Sequence, residues 1–129
     1  MVFDTNVLVS ALIFPGGNGE RALGRVIDGR NQLVLSRAII GELLEVLARK
    51  FARDREELAR VAVFLADLAV LVKPEARLDV LRDEADNRIL ECAVAGDADL
   101  IVTGDGQMLA LSGYGRIRIV SLKSYLGEY

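Results

Sequence analysis

The sequence predicts an α/β fold in which a central, mostly parallel sheet of about five strands carries helices on both faces, forming three layers. Short apolar segments alternate with longer segments of helical periodicity, and the strand-like segments lack the polar alternation of a solvated sheet. No clear hairpin signal separates them, so we expect crossover connections between the strands. With 129 residues, of which 52% are hydrophobic, we expect one domain spanning residues 1–129.

Five short segments are predicted to be buried strands because they are rich in branched apolar residues. These segments are residues 2–3, 32–36, 69–73, 99–103 and 117–121. Parallel strands point the same way, so their carboxyl ends meet at one edge of the sheet. Ligands bind outside that edge in open α/β folds.

Six longer segments carry apolar side chains at the spacing of one helix face. They span residues 6–13, 19–29, 37–51, 55–68, 86–96 and 106–113. Gly96 and Gly113 are expected to end the last two helices. The helices between residues 37 and 68 are expected to form a hairpin that turns near residues 52–55.

Composition excludes several kinds of catalytic site. The chain contains no His and one Cys, which excludes a Ser-His-Asp triad, a His general base, and zinc held by imidazole or several thiolates. We expect Cys92 to be a small buried side chain in a helix. No basic-then-apolar leader and no membrane-length apolar run is present, so we expect a cytoplasmic protein. Carboxylates are the main chemistry left.

Four acidic residues are predicted to meet at the carboxyl edge of the sheet. Asp4 follows the first strand, and Asp105 follows the fourth, close to Thr103. Glu42 lies in the second turn of the helix after the second strand, and Asp86 lies in the first turn of a later helix. Crowded carboxylates repel one another unless a cation lies between them, and oxygen ligands suit Mg²⁺ or Mn²⁺. Asn6 and Thr103 would then orient carboxylates or water.

Each acid also has an ordinary structural explanation. Asp4 and Asp105 are good N-cap residues for the helices that follow them. Asp86 could simply favour the positive N-terminal end of its own helix, and Asp83 or Glu84 could take its place. Glu42 could be a solvated helix residue, as we expect for Glu45 one turn further along the helix, which could also pair with Arg49.

Three segments together resemble the PIN domain, and in particular its VapC-like branch of toxin components from toxin–antitoxin systems. They are "DTNVLVSAL", "SRAIIGELLEVL" and "DEADNRILECAVAGDADLIVTGD", and the resemblance continues to "RIRIVSLKSYL". It implies a metal-dependent nuclease that acts on RNA, self-association into a homodimer, and an antitoxin partner if the protein is a toxin. It implies that Asp4, Glu42 and Asp86 are the core metal-site acids, with Asp105 as the fourth, and that Asn6 and Thr103 are polar auxiliaries.

From these inferences we expect a Mg²⁺- or Mn²⁺-dependent ribonuclease acting on single-stranded RNA. Arg21, Arg25 and Arg37 are candidates for contacts to RNA phosphates. The apolar run "VAVFLADLAVL" predicts a surface for self-association. One alternative is a Mg²⁺-dependent phosphohydrolase with Asp4 as nucleophile, although Asn6 stands where that chemistry usually has a second acid. Another is a catalytically silent PIN-like scaffold that binds RNA or protein.

Overall fold

The computed structural model describes residues 1–128, and it confirms the predicted class, a mixed α/β fold with a mostly parallel sheet. Each strand is short, and the longest has five residues. The strands are β1 (Val2–Phe3), β2 (Val34–Leu35), β3 (Val70–Leu71), β4 (Leu100–Thr103), β5 (Gly113–Tyr114) and β6 (Ile117–Ser121).

Helices connect and cover these strands. They are α1 (Thr5–Ile13), α2 (Asn18–Ile27), α3 (Arg37–Phe51), α4 (Arg55–Leu68), α5 (Glu84–Ala95), α6 (Gly106–Leu111) and α7 (Leu122–Glu128). The predicted bounds of α3 and α4 are confirmed. Within residues 1–128, no helix has the length and apolar character that are needed to cross a membrane.

The sheet is built around β1 and β4. The main sheet has the order β1-β4-β6-β5, in which β1, β4 and β6 run parallel. A second, two-stranded parallel sheet consists of β2 and β3. The two sheets meet where the Val34 N–H donates a hydrogen bond of 2.8 Å to the Met1 carbonyl. Because β1 lies between β4 and β2, the residue that follows β1 is held near the middle of the strand array.

The core surrounds these central strands. Phe3 and Ile101 on β1 and β4 are fully buried, as are Leu8 on α1 and Leu90 on α5. The ring of Tyr125 on α7 packs edge-on against Phe3, with 6.2 Å between the ring centroids. Burial of large apolar side chains stabilises the elements that flank the carboxyl edge of β1 and β4.

A hairpin that gave no clear signal in the sequence lies at residues 113–118, where a crossover connection was expected. β5 pairs antiparallel with β6, and a turn through Gly115 joins them with a φ of +59°. The preceding helix was predicted to end at Gly113, but α6 ends at Leu111 and Ser112 takes the left-handed conformation with a φ of 58°. Gly113 is therefore free to begin β5.

The segment at residues 69–73 was predicted to be a buried strand, and it is not buried. Val70 and Leu71 of β3 are 43% and 49% exposed. The reason is position, because β3 lies at the edge of the array and pairs only with β2. α7 was also not predicted, and it continues directly from β6.

Candidate active site

A small pocket lies at the carboxyl end of β1 and β4. Its volume is about 70 Å³, which is room for about two water molecules. Four separate segments of the chain contribute to it: the β1–α1 junction, α3, the start of α5 and the β4–α6 junction. Its polar lining residues are Asp4, Thr5, Asn6, Glu42, Asp83, Asp86 and Asp105. The structure thus brings all four predicted acids to one pocket.

Asp4 is held at this pocket by hydrogen bonds of both its backbone and its carboxylate. Its backbone N–H donates to the Val102 carbonyl at 3.0 Å, which continues the β1–β4 ladder. One carboxylate oxygen accepts from the Val7 N–H at 3.1 Å and caps α1, and the other accepts from the Thr103 hydroxyl. Burial raises the pKa of Asp4, which is 4% exposed. The capping role and a place in the pocket therefore hold together.

Thr103 and Asn6, the predicted auxiliaries, occupy different positions. Thr103 is fully buried and does not line the pocket. Its Oγ1 donates to Asp4 and accepts from the Asp105 N–H at 3.0 Å, so one hydroxyl connects two of the acids. Asn6 borders the pocket and is exposed.

Asp86 is buried at the pocket and has one carboxylate oxygen without a hydrogen bond in the described part of the chain. It is 7% exposed, and its Oδ2 has no hydrogen-bond partner among the described residues. Burial, followed by the charges of Asp105, Asp83 and Asp4, raises the pKa of Asp86 to about 7. A buried carboxylate without a partner is unfavourable, and a cation in the pocket would remove that penalty.

Glu42 and Glu45 differ as the helix phase predicts. Glu42 is half-buried and borders the pocket, and burial, followed by the charge of Asp83, raises the pKa of Glu42. Glu45 is exposed and forms an ion pair with Arg49 at 3.5 Å. The two glutamates on α3 therefore provide a matched pair, of which one faces the pocket.

Asp105 caps α6, one of the two roles that the sequence left open, and it lies at the pocket where the other role would require it. Its Oδ1 accepts hydrogen bonds from the N–H groups of Gln107 and Met108 at 2.8 and 3.0 Å, which caps α6. The residue also borders the pocket.

Two further residues at the pocket were missed. Asp83 was considered only as a replacement for Asp86, yet both border the pocket, whereas Glu84 is exposed and pairs with Arg88 at 3.2 Å. Thr5 is buried, and its Oγ1 has no hydrogen-bond partner among residues 1–128. Nothing in the local sequence distinguishes Thr5 from an ordinary first-turn residue.

One of the three arginines proposed to contact RNA has a structural role. The Arg25 guanidinium donates to the carbonyls of Tyr125 and Leu126 at 3.1 and 3.0 Å, and it lies 4.9 Å from the centroid of the Tyr125 ring. It therefore joins α2 to α7. Arg21 donates to Asn18 within its own helix at 3.2 Å.

The donor chemistry of the pocket fits a hard divalent cation. The ligands available are carboxylate, amide and hydroxyl oxygens, which Mg²⁺ and Mn²⁺ prefer, and Asp86 offers an oxygen that nothing described occupies. Within residues 1–128, no three acidic side chains are arranged as a formed metal site. Binding a cation would therefore require side-chain movement within the pocket.

The fold and the pocket define a class of protein, a mostly parallel α/β domain with an acidic crevice at the carboxyl ends of its central strands. A family model of the PIN domain matches residues 1–107, and the chain belongs to this family.

Three relatives extend this comparison. The chain is 28% identical to an uncharacterised protein of Methanocaldococcus jannaschii, over 95% of this chain and 83% of that protein. It is similar in fold to a chain of VapBC2 from Rickettsia felis, solved bound to a DNA fragment from their promoter, with a TM-score of 0.64 and 16% identity over 94% and 98% of the two chains. It is also similar to VapC20 of Mycobacterium tuberculosis, a toxin that cleaves the sarcin-ricin loop, with a TM-score of 0.61 and 18% identity over 92% and 99%.

Proposed function

We propose that this protein is a Mg²⁺- or Mn²⁺-dependent endoribonuclease, with Asp4, Glu42, Asp86 and Asp105 as its metal-site acids. The observation that carries the proposal is the convergence of these four carboxylates, from four segments of the chain, on one small pocket. Membership of the PIN family supports it, as does the likeness in fold to a toxin whose name describes cleavage of the sarcin-ricin loop.

The cation and the residues of the pocket would have different roles in RNA cleavage. When bound, a divalent cation would supply an activated water and neutralise the charge that develops on the phosphate. The Thr103 hydroxyl holds Asp4 in place, and the backbone N–H groups at the starts of α1 and α6 hold Asp4 and Asp105. Without a cation, Asp86 is only partly ionised near neutral pH, because burial and the neighbouring carboxylates raise its pKa to about 7. Its deprotonation would therefore accompany metal binding.

The decisive experiment measures cleavage of end-labelled single-stranded RNA by purified protein, with Mn²⁺ and with EDTA. We expect cleavage with Mn²⁺ only, and none from Asp4→Asn, whose Asn side chain still caps α1 so that the far-UV spectrum stays native. Asp54 caps α4 away from the pocket, so Asp54→Asn is the matched control and should cleave normally. Full activity of pure Asp4→Asn protein would overturn the site assignment.

The same assay separates the two alternatives. A phosphohydrolase would release phosphate from a phosphomonoester and leave the RNA chain intact. A silent scaffold would bind RNA without cutting it under any metal condition.

We also propose a cytoplasmic homodimer that pairs with an antitoxin. Exposed apolar side chains support a protein-binding surface, because Val63 and Phe64 on α4 are 61% and 38% exposed. Light scattering across micromolar concentrations should give the mass of a dimer, and Phe64→Glu should shift it toward the monomer. A monomer at every concentration of the wild type would reject the homodimer.

A further inference from the structure

The buried Asn87 side chain on α5 holds the segment that leads into the pocket. Its Oδ1 accepts hydrogen bonds from the N–H groups of Val80 and Leu81 at 3.0 and 2.8 Å. Its Nδ2 donates to the Leu81 carbonyl at 2.8 Å. Asn87 is 0% exposed, so both ends of its amide serve the backbone of residues 80 and 81.

A charged pair on the same helix holds the segment at a second point. The Glu91 carboxylate accepts from the Leu78 N–H at 2.7 Å and from the Arg88 guanidinium at 2.7 Å. Arg88 in turn donates to the Leu78 carbonyl at 3.1 Å. Asn87, Arg88 and Glu91 together are called the α5 clasp below. Burying a charged pair is costly, and here it anchors the backbone of one residue.

Asp83 follows two residues after Leu81, the last residue to which the clasp donates or from which it accepts a hydrogen bond. The Oδ1 of Asp83 accepts from the Ala85 N–H at 2.9 Å and caps α5. Capping uses one oxygen, and Asp83 takes part in no ion pair with the residues described. The side chain borders the pocket, and its charge is one of the causes that raise the pKa values of Glu42 and Asp86.

Independent evidence that the pocket takes a ligand comes from two buried polar atoms. Thr5 Oγ1 and Asp86 Oδ2 both belong to residues that line it, and neither has a partner within residues 1–128. Buried polar groups are rarely left unpaired, so two in one pocket indicate a missing polar or cationic partner. Asp83 faces that same space.

We propose that Asp83 is a fifth carboxylate of the metal site and that the α5 clasp positions it there. The proposal rests on the proposed function, because it assigns a further residue to the same cation. With five acids at the pocket, four could still bind the cation when one of them contacts substrate or water instead. The clasp residues themselves do not line the pocket, so they are positioning residues.

The test is calorimetric titration of the full chain with Mn²⁺. Asp83→Asn preserves the helix cap, since Asn and Asp cap equally well, and it removes only the charge. It should weaken Mn²⁺ binding about tenfold or more, without lowering the melting temperature in EDTA. The matched control is Asp79→Asn, because Asp79 is an exposed acid of the same segment that does not line the pocket. It should bind Mn²⁺ as the wild type does.

The outcomes separate this proposal from the proposed function. If Asp83→Asn binds Mn²⁺ as tightly as the wild type, Asp83 is a helix cap only, and the four-acid site stands. If the wild type binds no Mn²⁺, both the four-acid metal site and its fifth member fail.

The positioning role of the clasp is tested by a double-mutant cycle. Asn87→Ala should weaken Mn²⁺ binding in the wild type and have little further effect in the Asp83→Asn background. Glu91→Gln is the milder variant, since Gln keeps an acceptor for the Leu78 N–H, and it should follow the same pattern. Equal weakening of Mn²⁺ binding in both backgrounds would show that the clasp does not act through Asp83 and would overturn its positioning role.

Discussion

Replacing Asp86 by Asn should make the metal-free protein more stable at alkaline pH. Burial, together with the charges of Asp105, Asp83 and Asp4, raises the pKa of Asp86 from 3.8 to about 7. In the unfolded chain the carboxyl titrates at its ordinary value, so ionisation favours unfolding. The wild type is therefore expected to lose stability as the pH rises from about 4 to about 7. Asn has nearly the same shape and no charge, so the variant does not share this loss.

The size of this stability difference follows from the shift in the pKa of Asp86. Each unit of pKa difference is worth about 1.4 kcal/mol, so a rise from 3.8 to about 7 corresponds to about 4 kcal/mol of unfolding free energy. The pocket is open to solvent, which screens the charges around Asp86, so we expect about half of this, ~2 kcal/mol.

The assay is urea unfolding of both proteins in EDTA at about pH 4 and about pH 8. The two free energies of unfolding should be nearly equal at the lower pH, and the variant should be more stable by ~2 kcal/mol at the higher pH. Adding Mn²⁺ at a hundredfold excess over its dissociation constant should stabilise the wild type by about 2.7 kcal/mol and the variant much less. A difference that does not change with pH would refute the reasoning. A full Mn²⁺ effect in Asp86→Asn would remove Asp86 from the ligands.

Three other predictions concern single side chains. Glu42→Gln should cripple RNA cleavage with Mn²⁺ and Glu45→Gln should not, since only Glu42 borders the pocket; equal loss would contradict the helix phase. Gly19→Ala should lower the free energy of unfolding by about 1–3 kcal/mol, because its Cβ would lie 2.6 Å from a backbone nitrogen of α1. A Cβ at Gly24 on the same helix would meet nothing within 4 Å, so Gly24→Ala should raise the free energy of unfolding by about 0.5–1 kcal/mol. Urea unfolding measures both variants, and a lower free energy of unfolding in both would contradict the steric explanation. Cys92 is 0% exposed and burial raises its pKa to about 11, so a thiol reagent should label it only after unfolding; rapid labelling of native protein would contradict its burial.

The helices that the sequence predicted most accurately are those with local start signals. α3 begins after Ser36 and α4 after Asp54, and both side chains cap their helices by accepting a backbone N–H three residues on. Such caps depend on a few adjacent residues, so the sequence alone contains them. The placement of Glu42 at the pocket followed in the same way from the periodicity of α3.

Features that depend on distant neighbours could not be predicted. β5 has two residues, too few to show a period, and it exists because β6 pairs with it. The exposure of β3 depends on its place at the edge of the array. Asp83 borders the pocket together with Asp86, and side chains on α5 bind the segment before it, an arrangement that no spacing along the chain reveals. The metal-site roles of the acids stay predictions until binding is measured.

The hydrogen bond between Asp4 and Thr103 joins residues that lie 99 positions apart. During synthesis on the ribosome, β1 emerges first and β4, its parallel neighbour, only after most of the chain. At about 5–20 residues per second, this delay is roughly 5–20 s. An incomplete chain has Asp4 but neither Thr103 to hold it nor Asp105 beside it. Any chemistry that needs these acids together is therefore withheld from the nascent chain, and it begins only once β4 and the residues that follow it have been made and folded.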